Sequence, residues 1–464
     1  MSTPSLATSS LASRLRAARF PLPRRAELAL ALSALFIGCS ASSGEPEHGR
    51  ATATTSASES ATATTTASGS TSSASSSAST DSAPTATTEA EPERFQSTTP
   101  ELARFHAALH DLETKRRSSH VRIFWLGDSH GAADFWSGEL RTLLAERFGA
   151  AGPGYVHLGY KDYRHDGVKL DIRGKWKMRP KGPADPEKKG DGVWGLGGIM
   201  MAGYADDPGV TVRLTEPPQA ERVRYDVCYR LTDEGDTLEV RAEHGEPVKV
   251  STASIERGKI QHLSLEAAPD DRVFVVPTGN AFLCGATIET DPAKKPGVVL
   301  DTLSINGARY MTALSWDEDA WLAEAARRPP DLVVFEYGTN EAGGLEPPFT
   351  KIRQHMADML ARVRKVSKDV DCVVVSPTDR ADAEDKVEKM HASLERVAHD
   401  QGCYFFDVWK LLGGKGAAAR LRDQPSPSMQ ADGIHLKPDA YRDVGKTMFK
   451  ELLAGYGKPP AAAR

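Results

Sequence analysis

The chain reads as a three-layer α/β fold on a parallel sheet, with an all-β domain, a β-sandwich or jelly roll, inserted into it. Three observations predict this. Apolar runs alternate with amphipathic helical stretches on either side of a long central region. Between about residue 167 and residue 291 helical periodicity vanishes, and short alternating runs separated by turn residues take over. The strand–helix alternation resumes after Pro296-Gly297, so the β-region interrupts one domain and is not a tandem module.

The elements follow in order. Residues 101–116 place Leu102, Phe105, Leu109 and Leu112 at helical spacing, and 121–126 form the first buried strand. A helix over 138–148 carries Leu140, Leu143, Leu144 and Phe148 on one face, and 149–154 breaks it. Alternating runs are expected at 168–172, 210–214, 222–231, 237–241, 248–252, 261–266, 272–276 and 281–290. The second α/β block reads strand 298–304, helix 318–327, strand 331–337, helix 349–367, strand 372–376, helix 383–400, strand 403–406 and helix 438–456. The expected organisation is a signal segment over 1–38, a disordered tether over 39–97, α/β parts over 98–166 and 297–458 around an insertion over 167–296, and a disordered tail over 459–464.

The N-terminus reads as an export signal. Arg14, Arg16, Arg19, Arg24 and Arg25 precede an apolar stretch over 28–38 that is too short to span a membrane. It ends Leu35-Phe36-Ile37-Gly38-Cys39, which resembles a bacterial lipobox and implies cleavage before Cys39 and lipidation of its sulfur. An ordinary exported protein cut nearby is the plainer alternative. The Arg24-Arg25 pair suits twin-arginine export poorly, because Glu27 stands where an apolar residue is usual. Residues 40–92 are nearly all Ser, Thr and Ala, a composition that cannot bury a core. Roughly fifty such residues reach about 40 Å, enough to hold a domain off a membrane surface.

The formal net charge is -5, and it becomes -9 once residues 1–38, with five Arg and one Glu, are removed. A mildly acidic chain without a nucleic-acid motif has no bulk attraction to nucleic acid. Besides Cys39 there are Cys228, Cys284, Cys372 and Cys403. Cys372 and Cys403 each precede an apolar strand run, so neighbouring parallel strands would put both thiols at one end and permit a bridge. Cys228 shares a face with Arg224 and Arg230, whereas Cys284 shares one with Phe282 and Ala286; two free thiols account for this pair at least as well as a bridge. No spacing suits a zinc site, and no metal or organic cofactor is called for.

The chemistry concentrates in a few turns. Gly127-Asp128-Ser129-His130 follows the first apolar run, Gly338-Thr339-Asn340-Glu341 follows another, and Asp432-Gly433-Ile434-His435 precedes the last helix. A serine in a strand-to-helix turn stands at the carboxyl edge of a parallel sheet, where ligands bind in such folds. A free hydroxyl is a weak nucleophile and needs a base; His435 suits that role, with Asp432 to fix its tautomer. The N–H of Ser129, the amide of Asn340 and the backbone of Gly307 are candidate donors to an oxyanion.

Ser129, Gly307, Asn340 and Asp432–His435, in that order, resemble the SGNH (GDSL-like) hydrolases over roughly residues 118–150 and 298–456. The resemblance implies a flavodoxin-like three-layer fold with Ser129 as nucleophile, Gly307 and Asn340 as oxyanion donors, and Asp432 and His435 completing the triad. Here His130 replaces the usual Leu and Glu341 the usual Asp. These variants, and the interrupting β-domain, are similar to bacterial peptidoglycan O-acetylesterases. The pair Gly197-Gly198 competes with Gly307, and the chain lacks the G-x-S-x-G elbow of α/β-hydrolases.

Plainer roles are expected for several neighbours. His130 reads as a partly exposed structural histidine and Asp128 as a turn stabiliser. Glu336, in an apolar strand, needs a partner such as an Arg or borders the site. Glu341 reads as a structural hydrogen-bonder. Trp136, Trp176, Trp194, Tyr155, Tyr160 and Tyr163 read as core or interface before sugar platform, and the basic stretch 175–189 as a solvated loop. The expected activity is removal of a small acyl group, acetyl above all, from carbohydrate hydroxyls of an acetylated glycan such as peptidoglycan, in an envelope-facing lipoprotein attached to the membrane only by its lipid. An O-acetyltransferase, a general lipase and a catalytically silent glycan-binding lipoprotein are the alternatives.

Overall fold

The structure is a computed structural model that describes residues 95, 97–185, 190–233, 235–279, 281–345 and 348–457. The expected signal segment, Cys39, nearly all of the tether and the tail lie outside the described residues. Order is already present at the tether's end: Phe95 stacks on His110 at 4.4 Å, and Ser97 hydrogen-bonds His106 at 2.7 Å.

Five strands form one parallel sheet: β1 (Val121–Gly127), β11 (Val298–Thr302), β12 (Leu332–Glu336), β13 (Asp371–Val375) and β14 (Tyr404–Phe406), in the order β11-β1-β12-β13-β14. Every residue of β11, β12 and β13 is buried, as strands covered on both faces must be. The period of two splits their side chains between two cores. Val121, Ile123 and Trp125 face helices Ala103–Glu113, Trp136–Phe148 and Pro438–Leu452; Phe124 and Leu126 face helices Ile352–Arg364 and Glu384–Gln401. The chain leaves β1 for β11 on one side and then crosses to β12 on the other. The carboxyl end of β1 is therefore a topological switch point, with loops from both neighbours beside it.

The remaining nine strands are β2 (Gly154–Val156), β3 (Val168–Arg179), β4 (Met200–Leu214), β5 (Val223–Arg230), β6 (Thr237–Ala242), β7 (Val248–Ser251), β8 (Ile260–Ala267), β9 (Val273–Pro277) and β10 (Phe282–Thr290). They meet the sandwich or jelly-roll expectation only as an antiparallel β-domain, since hydrogen bonds join them into one nine-stranded sheet. The long β3–β4 ribbon is the spine. One half of β4 pairs with β10 and the other with β9, and the two wings close on one core containing Tyr225, Val227, Leu238, Val240, Val275 and Ile288. Two boundaries differ from the sequence expectation. β2 joins this sheet ahead of residue 167, a three-residue strand too short to show a period. The basic stretch is strand, not loop, as far as Arg179, with Lys175, Lys177 and Arg179 exposed on alternate positions.

Both cysteine pairs are disulfides, Cys372–Cys403 and Cys228–Cys284. The second overturns the reading of two free thiols. A bulge in β10 puts Leu283 opposite Tyr229 but Gly285 opposite Cys228, so Cys284 is the extra residue and turns toward Cys228. The face that reads as polar is also not a solvent face. Asp226 and His262 on it meet Arg327 and Glu324 of the helix Glu318–Ala326 and its end. Cys228 comes within reach of His262 and Glu324, but its sulfur is committed to the disulfide and is no metal ligand. Among the described residues, no helix is long and apolar enough to cross a membrane.

Candidate active site

The turn after β1 is shaped by two buried acids. Asp128 caps the four-residue helix Ser129–Ala132 by accepting from the His130 N–H at 3.0 Å. Glu336, the last residue of β12, accepts from the N–H groups of Asp128 at 3.2 Å and Gly131 at 2.9 Å. A Cβ on Gly127 would lie 2.3 Å from the Glu336 carboxylate, so a glycine is required there for the strands to close over it. Ser129 is thereby held at the carboxyl edge of the sheet, half-buried.

Its hydroxyl Oγ lies 2.7 Å from His435 Nε2, and His435 Nδ1 lies 2.7 Å from Asp432 Oδ2. The loop bearing this pair is a tight hairpin. Gln430 N donates to His435 O, Gly433 turns with φ +67°, and the other Asp432 oxygen accepts from the N–H groups of Ile434 and His435. Burial opposes ionisation of Asp432, but the His435 ring and these N–H groups prevail and hold its carboxyl at about 2. Asp432 is thus an anion throughout the neutral range, as an orienting carboxylate must be. The His435 side chain is 30% exposed, so water has access to the base.

His130 is not partly exposed as expected. It is 1% exposed, and its ring lies 5.1 Å from that of His435. Tyr441 holds its Nδ1 at 2.6 Å and Thr378 its Nε2 at 3.1 Å. Burial, followed by the fields of His435 and Arg380, pushes its imidazole down to about 3, so it stays neutral beneath His435. Tyr441 and Thr378 went unread in the sequence, because no local pattern ties the last helix to the first turn.

Asn340 lies in the short helix Thr339–Ala342 and ties three loops together. Its amide donates to Asp128 Oδ2 at 3.1 Å and to Ala308 O at 3.0 Å. Gly307 occupies the turn Ile305–Ala308, closed by Ala308 N donating to Ile305 O, with φ +81° at the position where a type II turn demands it. The competing glycines are elsewhere. A Cβ on Gly197 would strike Tyr155 and one on Gly198 would strike Trp316, so both serve core packing. Glu341 accepts from the N–H groups of Tyr310 at 2.9 Å and Gly338 at 3.0 Å.

Among the described residues Glu336 meets no arginine; its partner is Asp128. Burial, and then the Asp128 charge, push the Glu336 carboxyl well above the ordinary range, while burial raises Asp128 to about 6. Two buried carboxyls side by side resist ionising together, and the upward push is the greater at Glu336. Glu341 is also raised by burial, to about 7.

A serine, a histidine and a carboxylate in hydrogen-bonded line, beside backbone and amide donors, can carry out acyl transfer. The comparisons agree with that chemistry. Residues 267–442 match the GDSL-like Lipase/Acylhydrolase family. This stretch holds Gly307, Asn340, Asp432 and His435 but not Ser129, which the β-domain separates from the rest in sequence. No curated protein sequence matches. A solved structure of a peptidoglycan O-acetylesterase is 21% identical and superposes with a TM-score of 0.64, covering 76% of this chain and 95% of that one. An acetyl xylan esterase (15% identity, 34% and 83% covered, TM-score 0.29) and a family two carbohydrate esterase from Clostridium thermocellum solved with cellohexaose (9%, 62% and 98%, 0.27) are more distant. Residues 267–442 thus carry a GDSL-like lipase/acylhydrolase domain, which supports an SGNH-type hydrolase acting on esters.

Proposed function

We propose that this enzyme removes a small acyl group, acetyl, from carbohydrate hydroxyls, with peptidoglycan as the substrate. Ser129 Oγ attacks the ester carbonyl as His435 Nε2 takes its proton, and Asp432 stabilises the imidazolium. The oxyanion is met by the N–H groups of Ser129 and Gly307 and by the Asn340 amide, which gives up its bond to Ala308 O to make this one. Collapse of the tetrahedral intermediate expels the sugar alkoxide, which receives the proton from His435. Water, activated by the same histidine, then hydrolyses the acyl-enzyme to acetate. The reading is carried by the continuous Ser129–His435–Asp432 line at the switch point of the sheet. The partial exposure of His435 favours water as acceptor over the transferase alternative. An exported, lipid-anchored form attached through Cys39 belongs to the same proposal, since the substrate lies outside the cytoplasm.

Acetate release from acetylated peptidoglycan, from other acetylated polysaccharides and from simple esters of increasing chain length tests it. The expected result is release from peptidoglycan, with loss of at least ~10³-fold in kcat for Ser129→Ala. Activity confined to long acyl chains would overturn the carbohydrate reading, and an active Ser129→Ala enzyme would overturn the nucleophile.

A further inference from the structure

A second concavity lies beside the candidate oxyanion loop. The segment after β2 and the β3–β4 ribbon enclose a cleft of about 320 Å³ lined by Tyr160, Lys161, Asp162, Lys175, Trp176 and Tyr204 over a floor of Met178 and Met201. Its walls are fixed. The Trp176 indole rests on Gly159, where a Cβ would lie 2.4 Å from the ring, and its Nε1 donates to Arg173 O at 2.7 Å. Tyr204 is 43% exposed, an unusual state for a large aromatic ring in a strand, and Lys177 Nζ sits 4.3 Å from its centroid. The Tyr160 hydroxyl lies beside the side chain of Asn306, the residue before Gly307. One wall of the cleft therefore borders the turn assigned above to the oxyanion.

We infer that this cleft is a saccharide subsite, holding a pyranose ring of the same glycan chain whose acylated sugar is presented to Ser129. Three aromatic rings and two methionines offer an apolar surface to the C–H face of a sugar, while Lys161 and Asp162, both exposed, offer a donor and an acceptor to its hydroxyls. The volume sits at the lower end of small-molecule sites, which suits one or two rings better than a folded partner. The ribbon belongs to the β-domain and the Asn306–Gly307 turn to the hydrolase domain. The insertion thus supplies part of the substrate path and does more than pack against the enzyme. The inference rests on the glycan-esterase reading for its ligand but not for its test.

The test is binding, measured apart from turnover. A de-O-acetylated peptidoglycan tetrasaccharide is titrated calorimetrically against full-length Ser129→Ala protein and against the same protein carrying Tyr204→Ala, Trp176→Phe or, as a remote surface control, Ile255→Ala. Tyr204→Ala should weaken Kd by about tenfold and Trp176→Phe by less, with Ile255→Ala unchanged. Tyr204 is exposed, so its truncation tests the subsite even if Trp176→Phe fails to fold. No binding at millimolar tetrasaccharide, or a Kd indifferent to Tyr204→Ala, overturns the subsite. If binding depends on Tyr204 but the wild-type enzyme releases no acetate, the subsite stands and the esterase reading falls. Acetate release with Tyr204-independent binding gives the reverse.

Discussion

Buried acids are managed in opposite ways in two regions of this molecule. Under the Ser129 turn, Asp128, Glu336 and Glu341 are buried with no ion pair to a cation among the described residues, and burial raises all three. Where the β-domain rests on the parallel sheet, Glu289 is equally buried but bound bidentately by Arg122 at 2.7 and 2.9 Å and approached by Arg328 at 3.2 Å. Burial opposes ionisation there too, but Arg328 and Arg122 hold the carboxyl far below its ordinary range. Arg328 also binds Asp301 through two bonds, completing a network across the domain boundary. The difference teaches what each region is for. Acids with raised pKa values accept hydrogen bonds that shape a backbone turn while bringing less charge beside His435 than three fully ionised carboxylates would. Ionised acids with arginines lock two domains in register.

The comparison is broken most severely at Glu289. Glu289→Ala should leave Arg122 and Arg328 short of their partner and cost about 3–5 kcal/mol, with kcat on a simple ester unchanged in the folded fraction. Urea unfolding read against activity checks this, and a loss below 1 kcal/mol would show that the network is ornamental. Asp128→Ala acts in the other region. It removes the cap on His130 and one anchor of Asn340, so kcat should fall by roughly 10²-fold while unfolding shifts little. If KM rises alone, the acid does not position the turn.

The disulfides sharpen the contrast within the scaffold. They close separations of 56 and 31 residues, so opening either should cost about 2–4 kcal/mol. Cys228→Ser/Cys284→Ser should loosen the wing that packs on helix Glu318–Ala326, whereas Cys372→Ser/Cys403→Ser should loosen the edge of the parallel sheet. Hydrogen exchange resolved by segment distinguishes them, and an identical pattern from both would refute that localisation.

The smallest effect is in the pH dependence. Glu289 has a depressed folded pKa, so its contribution is present above its unfolded value near 4.5 and lost as pH falls. Asp128, Glu336 and Glu341 have raised folded pKa values. Their contribution is complete below the unfolded values near 4 and is lost as pH rises through about 6 for Asp128, about 7 for Glu341 and higher for Glu336. Thermal stability should therefore peak in mildly acidic solution. In Glu336→Gln the amide can donate to Asp128 and still accept from the N–H groups of Asp128 and Gly131, so Tm should match wild type at pH 5 and exceed it at pH 8. A parallel pH profile in the variant would place the proton elsewhere.

Much of this was legible in local sequence. The parallel strands, the helices that cover them and the turns bearing Ser129, Asn340 and His435 announce themselves through apolar runs, helical spacing and Gly-containing turns. The geometry then joins Ser129 to a histidine 306 residues away. Other features were not legible there. His130 looked peripheral because its partners, Thr378 and Tyr441, are 248 and 311 residues distant. Glu336 seemed to need an arginine because only the fold brings it against Asp128. Cys284 pointed away from Cys228 under strict alternation, and one bulge residue reversed it.

The sequence by itself determined which elements form, in what order, and that Ser129, His435 and Asp432 stand on loops at one edge of a parallel sheet. Those properties follow from periodicity and turn chemistry, which act over a few residues. Tertiary structure alone decided which acids keep their protons, which histidine is buried, which thiols pair and where the polar face of the β-domain is hidden. Each of these depends on burial and on a partner distant in the chain, and desolvation is a property of the packed molecule rather than of any segment.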